Sequence, residues 1–353
     1  MTIFRILLLS LILSLSACGG GDDKQTLQAK FDAFGTEIDV SLYGVDKATA
    51  DKTVTQLEQS FSDVNDTWHA WHPSVLTNIN KAISESKTID VTPDVAALIN
   101  QAKTLATQSN NLFNPAAGKL FELWGFHQDD WFVSHPPPSE EKINEWLSNI
   151  PTMNDVHIND GVLSSDNPKV KLGFGGFAKG YAVDAAITIL QNLGVTNAIV
   201  NIGGDLRAIG THGERPWIIG IRHPRKDGML ASIALQGDES VFTSGAYERF
   251  FEYEGVRYPH ILDPRTGQPA RDATSVTVLH TNAAEADAAA TGLLVAGEAW
   301  PKIAAAMGID RVMLVRPDGQ IELSPKMAER VRLINNATPP IIREIEILTP
   351  YNG

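Results

Sequence analysis

The residues with the most chemical potential lie in Lys171-Leu172-Gly173-Phe174-Gly175-Gly176-Phe177-Ala178-Lys179-Gly180-Tyr181-Ala182-Val183-Asp184, where glycines crowd a turn that ends at Lys179 and opens an amphipathic helix. Glycine lets a backbone approach a phosphate closely, the N–H groups of a first helical turn point at an anion, and a lysine there adds positive charge. The segment reads as a phosphate cradle. The same spacing also serves a glycine turn that packs a helix tightly on a sheet. It is neither a G-x-x-x-x-G-K-[ST] loop nor a G-x-G-x-x-G opening on a dinucleotide fold.

Asp287 and Thr291 stand four residues apart on a helix predicted to begin at Asn282, so their oxygens project from one face. A carboxylate, a hydroxyl and one or two backbone carbonyls make a sparse oxygen site that suits magnesium, which often completes its shell with substrate phosphates. A cap and a helix-facing threonine would leave the same pattern, and Glu285 can be a partner of the helix dipole. His260 ends a predicted strand and enters the turn Asp263-Pro264-Arg265-Thr266-Gly267. A histidine there can take a proton from a hydroxyl at neutral pH, with Asp263 to orient it, or it can be a satisfied strand end beside a well-capped turn. Thr243-Ser244-Gly245 adds hydroxyls, and Asp205 in Asn201-Ile202-Gly203-Gly204-Asp205 can serve its turn alone. Trp68, His69, Trp71 and His72 match neither zinc spacing nor an acid/base pair; their rings stack on another ring or fill core.

The elements that must position these residues follow from periodicity and caps. Phe31 to Tyr43 alternates as a strand, and Asp46 to about Trp68 reads as a helix with Val54, Leu57, Phe61 and Val64 on one face. Thr92-Pro93-Asp94 starts a helix that runs to about Ser109, with a side-chain cap. His135-Pro136-Pro137-Pro138 is a surface break, Ser139 opens a short helix, and Val156 to Leu163 is a hairpin turning at Asn159-Asp160-Gly161. A helix over about 177–193 precedes a strand, Ala198 to Ile202, and short strands are predicted at 217–222, 231–235, 241–243, 250–253 and 275–279. The Asn282 helix runs through Val295, and a last helix and hairpin close the domain near Ser324. Strands in runs with irregularly spaced helices indicate α+β rather than a doubly wound α/β sheet.

At the N-terminus, residues 1–17 pair one arginine, Arg5, with a short apolar run ending Leu15-Ser16-Ala17 before Cys18. The run is too short to span a bilayer and matches the core of a cleavable export signal. Leu-Ser-Ala-Cys is the bacterial lipobox pattern, so Cys18, the single cysteine of the chain, is the expected lipidation site. Gly19-Gly20-Gly21-Asp22-Asp23 follows as a flexible tether within 18–26. Removing 17 of 353 residues leaves about 336, enough for a substantial core in residues 27–324, with 325–353 as a peripheral extension. The formal net charge of −13, with acidic residues dispersed, disfavours nucleic acid and anionic membrane, so membrane attachment rests on the lipid.

Taken in order, the motifs resemble the ApbE family, the FAD:protein FMN transferases. They are Phe34-Gly35-Thr36, Phe113-Asn114-Pro115-Ala116-Ala117-Gly118 with Leu123-Trp124-Gly125-Phe126, Gly175 to Asp184, Asn201 to Asp205, Thr243-Ser244-Gly245, His260 to Gly267, and Ala286-Asp287-Ala288 with Thr291. The resemblance spans nearly the whole chain after the signal. It implies an α+β fold related to the tunnelling fold, and an enzyme that takes FAD and Mg2+ and attaches FMN to a Ser or Thr of another protein. It further implies that Asp287 and Thr291, with backbone oxygens near Gly176 and Ala284, hold magnesium, while the turn from Gly175 to Lys179 supplies donors to phosphate. Phe34, Trp71, Ala116, Ala117, Gly118 and Ile261 match flavin- or adenosine-contacting positions, and His260 the base that activates the acceptor hydroxyl. Gly173 stands where the family usually has Asp, Phe34 where Met is usual, and Lys119 where Pro is common.

The acceptors this implies are periplasmic domains of flavin-carrying membrane complexes, such as subunits of the sodium-translocating NADH:quinone oxidoreductase and Rnf systems. The expected place is the periplasmic face of a bacterial envelope membrane, the inner one for preference, reached by the lipid on Cys18. The same site with water as acceptor would make an FAD pyrophosphatase, and without turnover a flavin-binding lipoprotein.

Overall fold

A computed structural model describes residues 25–128, 130, 133–334 and 339–346; the expected signal, Cys18 and the glycine tether lie outside them. Its frame is one sheet whose nine strands lie side by side in chain order. They are β1 (Thr26–Ala33), β2 (Thr36–Tyr43), β3 (Ala198–Ile202), β4 (Asp205–Ile209), β5 (Glu239–Gly245), β6 (Ser275–His280), β7 (Val312–Val315), β8 (Ile321–Leu323) and β9 (Ile341–Ile342). Every neighbouring pair is antiparallel except β8 with β9.

Period-2 alternation explains how the sheet buries both faces. Phe242, Val276, Val278, Val312 and Leu314 point into the larger core, where they meet α1 (Lys47–Trp68), α2 (Val75–Ser84), α3 (Pro93–Gln108), α6 (Ala178–Asn192) and α7 (Ala283–Ala296). Their alternates Val241, Leu279, Met313 and Val315 face a second core closed by a three-stranded sheet of residues Ile218–Arg222, Met229–Ala234 and Val331–Leu333. A third cluster gathers Trp124, Trp146, Phe251 and Leu262 around α4 (Gly118–Leu123) and α5 (Glu140–Leu147).

Several predicted elements shift. The single strand read over Phe31 to Tyr43 is a hairpin, with Phe34 (φ 55°) and Gly35 (φ 71°) left-handed at its tip. Thr92 precedes α3 without bonding an amide through its side chain. Beyond Ser324, where the sequence suggests a peripheral extension, Met327 is fully buried and Val331–Leu333 pairs with Met229–Ala234. No described helix is long and apolar enough to cross a membrane.

Candidate active site

The seam between α6 and α7 sets the site. Gly180 in the first turn of α6 sits so close to α7 that an added Cβ would lie 2.3 Å from the Ala283 carbonyl oxygen. The contact lets the Gly180 N–H donate to Asp287 Oδ2 at 3.0 Å. Four residues on, the Asp184 carboxylate accepts from the Ala283 and Ala284 N–H groups, each at 3.0 Å, and pairs with Arg207. Asp184 therefore caps α7 from outside its own helix, adding to the Asn282 cap on Glu285 N–H at 2.8 Å. Gly176 closes the same seam, since a Cβ there would stand 2.9 Å from Thr291 Oγ1. Gly176 and Gly180 are thus packing glycines, while Gly173 and Gly175 have open space where a Cβ would go.

The turn before α6 is held by Asn80. Its buried side chain donates to Leu172 O at 2.8 Å and accepts from Leu172 N–H at 2.6 Å, fixing the chain immediately before Gly173. Gly173 N–H donates to Pro115 O at 2.9 Å, and Asn114 Oδ1 accepts from Ala116 N–H at 3.1 Å, so the Asn114–Gly118 turn is built against the glycine turn.

These elements surround a cavity of about 470 Å³. It is lined by Phe34, Trp71, Ala117, Gly118, Gly173, Gly176, Lys179, His260, Ile261, Asp287 and Thr291 among the residues expected from sequence, and by Thr243, Ser244, Glu248, Arg249 and His127 besides. Ala116 and Ala284 lie behind the wall: Ala116 is fully buried, and Ala284 sits in the first turn of α7, where its N–H is held by Asp184.

Charges are unevenly spread inside it. Lys179 forms an ion pair with Asp205, whose other oxygen accepts the Thr243 N–H at 2.8 Å. Burial works to lower the Lys179 pKa, but Asp205 and Asp287 outweigh it and hold the ammonium above its ordinary value. Burial pushes the Asp287 carboxyl up, with Asp205 adding to the push and Lys179 and the Gly180 N–H opposing it. Glu248 is raised by its surroundings as well. Ser244 Oγ and Thr291 Oγ1 are 3.1 Å apart, so three hard oxygen groups meet at this end of the cavity with the Asp287 carboxylate.

His260 faces the cavity from a different element, directly after the strand Val256–Pro259. Its Nδ1 is 3.1 Å from the Arg249 carbonyl oxygen. A carbonyl only accepts, so Nδ1 carries the proton and Nε2 is the accepting nitrogen. Burial, with Arg249 and Lys179 nearby, lowers its pKa to about 4. The expectation that Asp263 orients this ring is corrected: both Asp263 oxygens are engaged by Arg265, at 2.7 and 2.9 Å, and its carbonyl caps the turn. The first hydrogen-bond partner on offer, three residues along the chain, loses to a guanidinium two residues further that matches a carboxylate bidentately.

His127 was not legible in the sequence. Its Nε2 is buried without a hydrogen-bond partner, its ring meets Trp71 edge-on at 5.5 Å, and burial followed by Lys171 lowers its pKa to about 4. Its place after Trp124-Gly125-Phe126 is the one hint the chain offers. Trp68, His69 and Trp71 all line the cavity, with Trp68 edge-on against Phe174 at 5.2 Å, so these rings belong to the cavity wall.

Comparison with known proteins bears on the fold and the family. A model of the ApbE family matches residues 34–313. The chain belongs to the ApbE family. It is 39% identical over 321 residues to an FAD:protein FMN transferase of Rhodobacter capsulatus, covering 90% of this chain and 60% of that protein. A second, from Vibrio cholerae, is 33% identical over 271 residues, covering 75% and 79%. Among solved structures, the ApbE protein of Thermotoga maritima superimposes with a TM-score of 0.79 at 33% identity, over 87% of this chain and all of that one. The flavin transferase ApbE of Vibrio cholerae gives 0.76 at 27%, over 87% and 99%. The mixed α+β fold expected from the strand runs is therefore the ApbE fold. The chain spans only about three fifths of the Rhodobacter protein's length.

Proposed function

We propose that this ApbE-family chain is an FAD:protein FMN transferase, which cleaves the FAD pyrophosphate and joins FMN to a Ser or Thr hydroxyl of an acceptor protein, with AMP leaving. The observation that carries the reading is the placing of His260 in the same cavity as the Lys179, Asp287 and Thr291 cluster. A hydroxyl is a poor nucleophile until a base takes its proton, and an imidazole that is neutral at physiological pH with Nε2 as acceptor can do so. In the step, the acceptor oxygen forms a bond to the FMN-side phosphorus, the P–O bond to AMP breaks, and the hydroxyl proton passes to His260 Nε2.

The donors at the other end fit magnesium. Asp287, Thr291 and Ser244 supply hard oxygens, and no group of three or more His, Cys, Asp or Glu that could hold a metal occurs among the described residues. So few protein ligands suit an ion that shares its shell with phosphate oxygens and water. Asp287 and Thr291 would hold it, with the Gly176 carbonyl at the same seam; when bound, magnesium neutralises charge on the pyrophosphate. Lys179 and the Gly175–Gly176 turn face the phosphates, the Ala178, Gly180 and Tyr181 amides of α6 being taken by Phe174 O, Asp287 and Phe177 O, and Trp71, Phe34 and Ile261 give the flanking rings apolar walls. An aspartate in place of Gly173 would extend into open cavity, so the departure at this position removes a polar group without a packing change.

The lipobox at Leu15 to Cys18 supports placement on the periplasmic face of an envelope membrane, beside acceptor subunits of the sodium-translocating NADH:quinone oxidoreductase or Rnf type. The test is to incubate the protein lacking residues 1–18 with FAD, magnesium and such an acceptor domain, then weigh the acceptor intact. A gain of one FMN, absent with Asp287→Ala or His260→Ala, is expected. Free FMN and AMP without an adduct would make it a pyrophosphatase, and tight FAD binding without either product a flavin-binding protein.

A further inference from the structure

We propose that Asp205 is the residue that aims Lys179, holding its ammonium at the cavity floor between the phosphate-binding turn and Asp287; the inference rests on the flavin-transferase reading of that cavity. Sequence alone leaves Asp205 as a turn residue. The turn does not need it: Gly203 and Gly204 supply the left-handed conformations (φ 63° and 103°), and Asn201 Oδ1 accepts the Gly204 N–H at 2.8 Å. Asp205 instead is 4% exposed, with one oxygen on the Thr243 N–H at 2.8 Å and the other on Lys179. Burying a carboxylate costs far more than a turn returns unless a cation is paired with it.

Lysine is a flexible point charge that loses rotamer freedom when held. Asp287 and Glu248 also attract this ammonium. Without Asp205, Lys179 would settle on Asp287, where it would occupy the oxygens meant for a metal and leave the phosphate-facing position empty. Asp205 is fixed to β5 through the Thr243 N–H, the same strand that carries Ser244 toward Thr291, so the cation and the oxygen cluster are set in register by one strand. Asparagine in its place would keep the Thr243 bond and the turn and remove only the charge.

The experiment compares wild type, Asp205→Asn, Lys179→Met and the double variant, reading FAD affinity by flavin fluorescence in chelator, and the thermal midpoint. Each single substitution is expected to weaken FAD binding by roughly tenfold, the worth of one charge-assisted contact. The double variant should bind no worse than Lys179→Met, because Asp205 has nothing left to aim. It should also melt above Lys179→Met, since that single variant strands a buried carboxylate. Wild-type affinity in Asp205→Asn, losses that multiply in the double variant, or a double variant melting below Lys179→Met would each overturn the proposal. Should Asp205→Asn fail to fold alone, the FAD affinities of the other two variants still decide it: they should be equal if Asp205 acts only through Lys179, and a weaker double variant would overturn the proposal. If wild type binds no FAD, the transferase reading falls, while the melting order continues to report whether the two side chains act as one unit.

Discussion

Gly180→Ala tests the seam on which the site depends. Ordinary carbon–oxygen contact begins near 3.4 Å, and the new Cβ would lie 2.3 Å from Ala283 O and 2.7 Å from Ala283 C and Ala284 Cα, all backbone atoms. Helix α6 and helix α7 would have to part by about 1 Å, because no side chain can swing aside. Three hydrogen bonds cross the seam at 3.0 Å, and the same displacement takes them to about 4 Å, past hydrogen-bond range. Overpacking costs ~1–3 kcal/mol and each lost bond to a charged group ~1.5–3 kcal/mol, with partial relaxation between them, so a loss of about 3–5 kcal/mol is expected. Urea unfolding reads it directly, and an angstrom of displacement at Asp287 should also lower turnover by about a hundredfold. The sign makes the test sharp. Alanine is the better helix former by ~1 kcal/mol, so in a looser crossing the same change would stabilise the protein. A variant as stable as wild type, or more so, would refute the close seam.

Two further outcomes follow from groups around the cavity. With the His260 pKa lowered to about 4, the imidazole remains the neutral base as pH falls through 6.5, so an NMR titration of its ring should show no protonation until near pH 4; a midpoint near 6.5 would mean that the ring titrates as in water, whereas an acid limb of kcat/KM near neutral pH would report Asp287, which burial pushes up. Asn80→Ala leaves the Leu172 N–H and C=O buried without partners, at ~1–3 kcal/mol each, and should lower both stability and FAD affinity because the glycine turn starts at the next residue. An unfolding free energy within ~1 kcal/mol of wild type would show that water takes over both bonds.

Local signals carried well. Asp46 caps α1 as its type and position suggest, accepting from Thr49 N–H at 2.9 Å, and Asp160-Gly161 turns its hairpin with both residues left-handed. The β1–β2 hairpin was hidden because phenylalanine rarely takes the left-handed conformation that Phe34 adopts, so alternation ran unbroken across the tip. Asp287 and Thr291 were legible as a pair because four residues on a helix share a face. Their supports were not: Asp184 and Asn80 act on amides 92 to 100 residues away, at distances no local pattern encodes. Asp263 misled for the opposite reason, since nearness in sequence to His260 offered a partnership that Arg265 takes.

The bond between Gly180 and Asp287 joins residues 107 apart in the chain, and Asp184 reaches 99 and 100 residues to cap α7. Contacts of that span form late, after the loops between them have given up their freedom. A growing chain therefore has no seam between α6 and α7 until α7 has been made and docked, and the cavity that Lys179, Asp287 and Thr291 line is complete only in the finished fold.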